Sequence, residues 1–142
     1  MMKAVEIKAF GGPEMLELCQ RPRPILSPGQ ILIKVAYAGV NRPDLLQRKG
    51  NYPVPEDAND LPGLEVSGEV IKTGNAVKNW RIGDRVCALC HGGGYSEYVA
   101  VDEGHVMPVP AGFDMAQAAC LPETYITVWG NLFMRGHLKK AE

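Results

Sequence analysis

The chain has 142 residues, with 15 lysines and arginines against 16 acidic residues and a formal net charge of −1. Hydrophobic residues make up 46% and charged residues 22%, which is ordinary for a globular domain and argues against extended disorder or a coiled coil. The balanced charge gives no reason to expect nucleic acid as a partner, and no apolar stretch approaches the ~20 residues that span a bilayer, so we expect no membrane partner and a cytoplasmic location.

Strand patterns dominate the first three quarters of the sequence. The most continuous β-branched and apolar run covers residues 31–38 and predicts a central strand. Further strands are predicted over residues 2–9, 15–19, 65–73, 85–89, 95–101 and 105–109. Gly68 falls inside one of these strands, which indicates a β-bulge or a close approach of another backbone.

Short helices are predicted where the hydrophobic period changes and a start signal precedes it. These are residues 41–49 with Asn41 as the cap, residues 115–119 with Asp114 as the cap, and a helix from Pro122 to about residue 135. Short, closely spaced strands followed by a helical pair predict a mainly β protein with short helices (α+β), in the form of a small, partly open β-barrel.

Several ordered motifs point to a known superfamily. Residues 63–77 (GLEVSGEVIKTGNAV) carry the signature of the medium-chain dehydrogenases/reductases at every fixed position except the histidine, where this chain has Leu64. The chain also resembles the zinc-free quinone oxidoreductases of that superfamily, in particular those of the tumour-suppressor-inducible type. The motifs that carry this likeness are VNRPDLLQRKG at 40–50, Tyr52, GDRV at 83–86, GGGYSEY at 92–98, and the segment 118–127.

The resemblance implies a GroES-like catalytic domain over residues 1–121. Residues 122–142 would form a linking helix and the start of a nucleotide-binding domain. Members of this branch continue into a Rossmann domain, and this sequence contains no G-x-G-x-x-G turn between a strand and a helix. We therefore expect a truncated chain that is inactive alone.

For the full-length protein the resemblance implies an NADPH-dependent enzyme that reduces a small-molecule quinone, without zinc and as a homodimer. A quinone is already electrophilic and the cofactor carries the hydride, so little acid–base chemistry is required of the protein. Two alternatives stay open. One is an enone or enoyl reductase of the same superfamily, and the other is a GroES-like oligomeric binding module.

Two predicted catalytic residues follow from the resemblance. Asn41 is expected to seat the nicotinamide or the substrate, and its structural alternative is a helix cap. Tyr52 is expected to line the acceptor pocket by stacking or by donating a hydrogen bond. Its structural alternative is an anchor for its loop.

Two further positions are assigned to cofactor binding. Thr127 is expected to hydrogen-bond the nicotinamide carboxamide, unless its hydroxyl bonds to its own helix backbone. Glu123 is ambiguous between helix-start electrostatics and a place in the cleft. Asp44 is interpreted as ordering its loop, by capping or by pairing with Arg48 four residues later.

No metal site is predicted. Catalytic zinc needs about three protein ligands, and zinc-dependent relatives have a cysteine where this chain has Asn41, a histidine where it has Leu64, and a third ligand near Glu123. An amide and an isobutyl group cannot replace the first two. Cys87 and Cys90 are interpreted as buried thiols, with a metal knuckle as the alternative, because structural zinc usually needs four ligands.

Overall fold

The computed structural model describes residues 1–139. Seven strands form: β1 (Met2–Ile7), β2 (Leu16–Arg21), β3 (Gln30–Ala38), β4 (Glu65–Thr73), β5 (Arg85–Leu89), β6 (Tyr98–Asp102) and β7 (Val106–Pro108). The helices are α1 (Arg42–Arg48), α2 (Met115–Ala119) and α3 (Pro122–Val128), the last continuing as π-helical turns over Trp129–Arg135. Each of these elements overlaps a predicted one of the same type.

The strands form two open antiparallel sheets. The larger has the order β6-β3-β4-β5-β7, and the smaller is the hairpin of β1 and β2. An isolated bridge between Ala4 and Ser96 joins the hairpin to the segment before β6. The prediction of a mainly β protein with short helices and incomplete closure is confirmed.

The apolar core lies against the central strands of the larger sheet. Ile31 and Ile33 of β3 alternate inward, and Val66 and Val70 of β4 do the same beside them, each without solvent exposure. Full burial of such a side chain stabilises the folded state by about 1.5–3 kcal/mol. Burial of these β-branched residues therefore fixes the register of β3 against β4.

Gly68 lies at a β-bulge, as its position in the strand predicted. Val35 pairs with Gly68 and Tyr37 pairs with Ser67, so one extra residue of β3 is accommodated at this point. A Cβ atom at Gly68 would collide with the carbonyl oxygen of Lys34. The two backbones approach closely here because position 68 carries no side chain.

The predicted strand over residues 95–101 begins later than expected, at Tyr98. The residues before it pair with β1 instead, since the Val5 N–H donates to the Tyr95 carbonyl at 2.8 Å and the Glu97 N–H to the Lys3 carbonyl at 3.0 Å. The chain thus passes from the hairpin to the larger sheet at Glu97, whose carbonyl accepts the N–H of Val35 of β3 at 2.9 Å. An alternation pattern does not reveal this crossing.

The C-terminal helix exposes much of its apolar surface. Tyr125, Trp129 and Met134 are each exposed over more than half of their surface, and the Trp129 and Phe133 rings contact each other with centroids 4.7 Å apart. No helix within residues 1–139 combines the length and apolarity that crossing a membrane requires. The segment predicted over residues 122–142 is described here only as far as residue 139, so its last three residues lie outside the described part.

Candidate functional site

The centre of the candidate site is the carboxylate of Glu65, the first residue of β4, whose exposed fraction is 2%. Oε1 accepts a hydrogen bond from Nδ2 of Asn41 at 2.8 Å, and Oε2 accepts one from the backbone N–H of Glu123 at 2.9 Å. A buried carboxylate is tolerated only when hydrogen bonds replace its lost hydration. Both oxygens of Glu65 meet this condition, and they join the residue before α1 to the first turn of α3.

A second buried carboxylate, that of Asp44, lies in the first turn of α1. Its Oδ2 accepts the backbone N–H of Asn41 at 2.8 Å and the hydroxyl of Tyr95 at 3.0 Å. Asn41 and Asp44 thereby form a capping box at the start of α1. We call Asn41, Asp44, Glu65, Tyr95 and Glu123 the carboxylate cluster.

Of the two alternatives for Asp44, a cap or a pair with Arg48, the structure shows the cap. The carboxylate turns toward the Asn41 backbone and the Tyr95 hydroxyl rather than along the helix surface. Oδ1 of Asp44 and Nε of Arg48 are both buried and have no hydrogen-bond partner among the described residues.

The buried negative charges act on the other titratable groups of the cluster. Burial and the nearby carboxylates of Glu65 and Asp44 raise the pKa of Glu123 above its ordinary value. Burial, together with the charge and hydrogen bond of Asp44, raises the pKa of Tyr95 well above its usual range. Tyr95 is therefore a hydrogen-bond donor throughout the physiological pH range.

Cys87 and Cys90 are free and buried, as their interpretation as small core thiols required. Burial, with a smaller contribution from Glu65, raises the pKa of Cys90 to about 12, so this thiol stays neutral. Within residues 1–139 there is no group of three His, Cys, Asp or Glu side chains arranged to hold a metal ion. Metal independence stays a prediction.

The structure brings together two of the predicted site residues, Asn41 and Glu123, through Glu65. Thr127 lies one turn beyond Glu123 and is exposed, and its hydroxyl donates to the Glu123 carbonyl at 2.7 Å. Tyr52 is half-buried in a different place, a groove of about 470 Å³ beside Phe10. The predicted roles of these four residues in catalysis and cofactor binding stay predictions.

Sequence reasoning did not single out Tyr95 as a site residue. Its backbone N–H donates to the Pro62 carbonyl at 3.0 Å, and the N–H of Gly94 donates to the Gly63 carbonyl at 3.0 Å. Gly63 has φ +103°, and a Cβ atom there would lie 2.5 Å from the Tyr95 nitrogen. The available signal was the pair of glycine-containing segments, since two backbones can pack this closely only without side chains.

Comparison with known proteins identifies the family. Residues 27–111 match the alcohol dehydrogenase GroES-like domain. The chain is 33% identical over 138 residues to the synaptic vesicle membrane protein VAT-1 homolog of Danio rerio, covering 96% of this chain and 28% of that protein. It is 33% identical over 144 residues to the quinone oxidoreductase of Lama guanicoe, covering 100% of this chain and 44% of that protein.

Solved structures give the same result. The human VAT-1 homolog-like protein superposes with a TM-score of 0.88 at 33% identity, covering 97% of this chain and 45% of that one. A quinone oxidoreductase from Coxiella burnetii superposes with a TM-score of 0.85 at 32% identity, covering 95% of this chain and 45% of that one. A mycobacterial protein complexed with NADPH gives a TM-score of 0.81 at 29% identity, covering 98% of this chain and 42% of that one.

This chain belongs to the alcohol dehydrogenase GroES-like domain family, within the medium-chain dehydrogenase/reductase superfamily of oxidoreductases. Its relatives include quinone oxidoreductases and VAT-1 homologs. The chain spans about 28% to 44% of the length of the curated relatives described above.

Proposed function

We propose that this chain forms the GroES-like catalytic domain, over residues 1–121, and the linking helix of an NADPH-dependent quinone oxidoreductase that works without zinc. The observation that carries the proposal is the Asn41 amide, bonded to the buried Glu65 carboxylate at the position where zinc-dependent relatives have a cysteine ligand. The likeness to quinone oxidoreductases, and to a protein solved with NADPH, supports the choice of acceptor and cofactor.

On this proposal Asn41 contacts the nicotinamide ring. When bound, the reduced cofactor supplies a hydride. Asn41 is half-buried and held at two points, by Glu65 through its side chain and by Asp44 through its backbone. Such a group positions a neutral ligand by hydrogen bonding at little entropic cost, because its rotamer is fixed before binding.

Thr127 fits the carboxamide of the cofactor as an acceptor. Its hydroxyl hydrogen is used in the bond to the Glu123 carbonyl, so its exposed oxygen offers lone pairs to an incoming N–H group. A carboxamide supplies that N–H. On this proposal Glu123 belongs to the same cofactor-binding face through its place in the first turn of α3.

Tyr52 provides an apolar surface for the acceptor. It shares its groove with Ile7, Phe10 and Val54, which suits a flat aromatic ring such as a quinone. This groove is separate from the carboxylate cluster, so the proposal requires the acceptor to reach from Tyr52 toward Asn41. The same surface suits an enone, so activity measurements with both kinds of acceptor are needed to distinguish them.

The test compares the whole protein to which this chain contributes with the 142-residue chain alone. NADPH oxidation is measured with quinones, enones and enoyl thioesters, with and without a chelator. We expect the whole protein, as a homodimer, to prefer quinones and to be unaffected by the chelator, and the chain alone to be inactive. Preference for enones would favour the alternative, and loss of activity to the chelator with recovery on adding zinc would contradict the metal-free mechanism.

A matched pair of variants tests the site. Asn41→Ala removes the amide that the proposal places against the nicotinamide, and we expect turnover to fall about 10²-fold. Asn75→Ala alters an exposed asparagine in a distant turn and should leave turnover unchanged. Equal turnover in the two variants, with both folded, would contradict the role of Asn41.

A further inference from the structure

We propose that Glu65 is a positioning residue, whose carboxylate fixes the orientation of the Asn41 amide and the place of α3 relative to it. The functional consequence rests on the proposed function, because it assumes that Asn41 acts in the cleft. The structural content stands independently, since it concerns hydrogen bonds within this chain. This chain has Leu64 in place of the motif's histidine, and the predicted mechanism assigns no role to Glu65.

The orientation of the Asn41 amide follows from what a carboxylate can do. A carboxylate accepts hydrogen bonds and donates none. Oε2 of Glu65 is used by the N–H of Glu123, and Oε1 lies 2.8 Å from the Asn41 side chain. The group facing Glu65 must therefore be the NH₂ of Asn41, and the amide cannot turn over without placing oxygen against oxygen.

The Glu65 carboxylate is closely packed against the backbone of Gly39. A Cβ atom at Gly39 would collide with Oε1 of Glu65, so the side chain occupies space that exists because position 39 is a glycine. The N–H of Gly39 also donates to the Glu65 carbonyl at 3.1 Å. With 2% of the residue exposed, water cannot take over the two bonds if the carboxylate is removed.

The same carboxylate links two predicted cofactor contacts. Asn41 is bonded to one oxygen, and α3 is bonded to the other through Glu123, one turn before Thr127. The separation between the Asn41 amide and the Thr127 hydroxyl therefore depends on a group that touches neither cofactor nor substrate. Loss of this group should alter geometry in the cleft more than it alters the fold of the sheet.

The test uses Glu65→Gln, which keeps the shape but replaces one acceptor oxygen with a donor NH₂. Either the bond from Glu123 is lost or the Asn41 amide turns over. In ¹⁵N-labelled chain we expect the NH₂ signals of Asn41 to shift and to exchange faster with water, while the backbone signals of β3 and β5 stay in place. The control is Glu69→Gln, on the same strand but exposed, which should leave those NH₂ signals unchanged.

In the whole protein, we expect Glu65→Gln to lower kcat about tenfold or more with less than a twofold change in the KM for the quinone, because orientation rather than binding is lost. A double variant, Glu65→Gln with Asn41→Asp, restores the hydrogen bond between positions 41 and 65 with donor and acceptor exchanged. The amide at position 65 then donates to the carboxylate at position 41. It should recover thermal stability without recovering turnover. Recovery of both would show that Glu65 is merely structural.

The outcomes separate the two proposals. Unchanged Asn41 NH₂ signals in a folded Glu65→Gln chain would overturn the positioning role whatever the activity. Absence of any reductase activity in the wild-type whole protein would overturn the proposed function and leave the spectroscopic result standing. Should Glu65→Gln fail to fold, exchange of the Asn41 NH₂ protons in the wild-type chain decides, since slow exchange supports the bond and fast exchange contradicts it.

Discussion

The two faces of β4 bury their side chains for different reasons. Val66 and Val70 point into an apolar core, where contact area and volume determine stability. Glu65 and Ser67 point to the opposite face, where Ser67 donates to the Met115 carbonyl at 2.5 Å and Glu65 holds Asn41 and α3. One face therefore depends on shape, and the other on matching each donor with an acceptor. Substitutions on the two faces should therefore destabilise the protein by different mechanisms, which stability measurements can distinguish.

The largest expected effect is on the shape-dependent face. Gly68→Ala places a methyl group against the Lys34 carbonyl oxygen of β3, a backbone atom that cannot move without disturbing the bulge. We expect the free energy of unfolding to fall by about 3 kcal/mol, measured by urea denaturation.

The control for this substitution is Gly130→Ala. Within residues 1–139, no atom apart from its chain neighbours and its own helix backbone lies within 4 Å of the position that a Cβ at Gly130 would take. Gly130 lies in the C-terminal helix, where alanine is favoured over glycine. The free energy of unfolding of Gly130→Ala should stay the same as that of the wild type or rise slightly. Similar losses in both variants would mean that backbone crowding at the bulge is not the cause.

A smaller effect is expected when a donor is removed from the carboxylate cluster. Tyr95→Phe deletes the hydroxyl that donates to the buried Asp44 carboxylate at 3.0 Å and should cost about 1–3 kcal/mol at neutral pH. Tyr37→Phe is the control, since Tyr37 is exposed over 54% of its surface. Stability is measured by thermal unfolding. Equal losses of stability in the two variants would contradict a special role for Tyr95.

The pH dependence of the same pair gives a second measurement. The pKa of Tyr95 is raised in the folded state, so the unfolded chain loses this proton first, near pH 10. The stability that the hydroxyl contributes is fully present below that pH and is lost as the pH rises toward the folded-state pKa. The difference between the wild type and Tyr95→Phe should therefore shrink above about pH 10.

The sequence predicted the shape-dependent face more completely than the hydrogen-bonded one. Alternation predicted β4, and Gly68 indicated the bulge within it. Asn41 and Glu123 were predicted as site residues from a resemblance, but their common partner Glu65 was assigned no role. Periodicity reports which face of a strand is buried, whereas it carries no information on which distant donor reaches a buried oxygen.

The Tyr95 contact shows the same limit. Its hydroxyl meets Asp44 across 51 residues of sequence, through a loop packing that depends on two glycines. The two alternatives for Asp44, a cap or a pair with Arg48, stayed open for the same reason. A helix spacing of four residues makes such a pair possible, but a buried tertiary partner took the carboxylate instead.

The smallest expected effect separates charge from hydrogen bonding within the polar region. Burial and the carboxylates of Glu65 and Asp44 raise the pKa of Glu123, even though a helix start favours negative charge. The unfolded chain therefore loses this proton at a lower pH, about 4.3, than the folded chain does. Stability falls as the pH rises from that value through the folded-state pKa, so the ionised wild type is destabilised at neutral pH.

Glu123→Gln removes this cost, and we expect it to be more stable than the wild type at pH 7 by about 0.5 kcal/mol after allowance for solvent screening. The two proteins should converge at low pH. Glu103→Gln is a control of opposite sign, because the Glu103 carboxylate accepts the N–H groups of Lys78 and Asn79, which lowers its pKa. That variant should be less stable than the wild type at pH 7 and should approach it in acid. Changes of the same sign in both variants would mean that the charges of Glu65 and Asp44 do not reach Glu123, and that the polar face of β4 acts through hydrogen bonds alone.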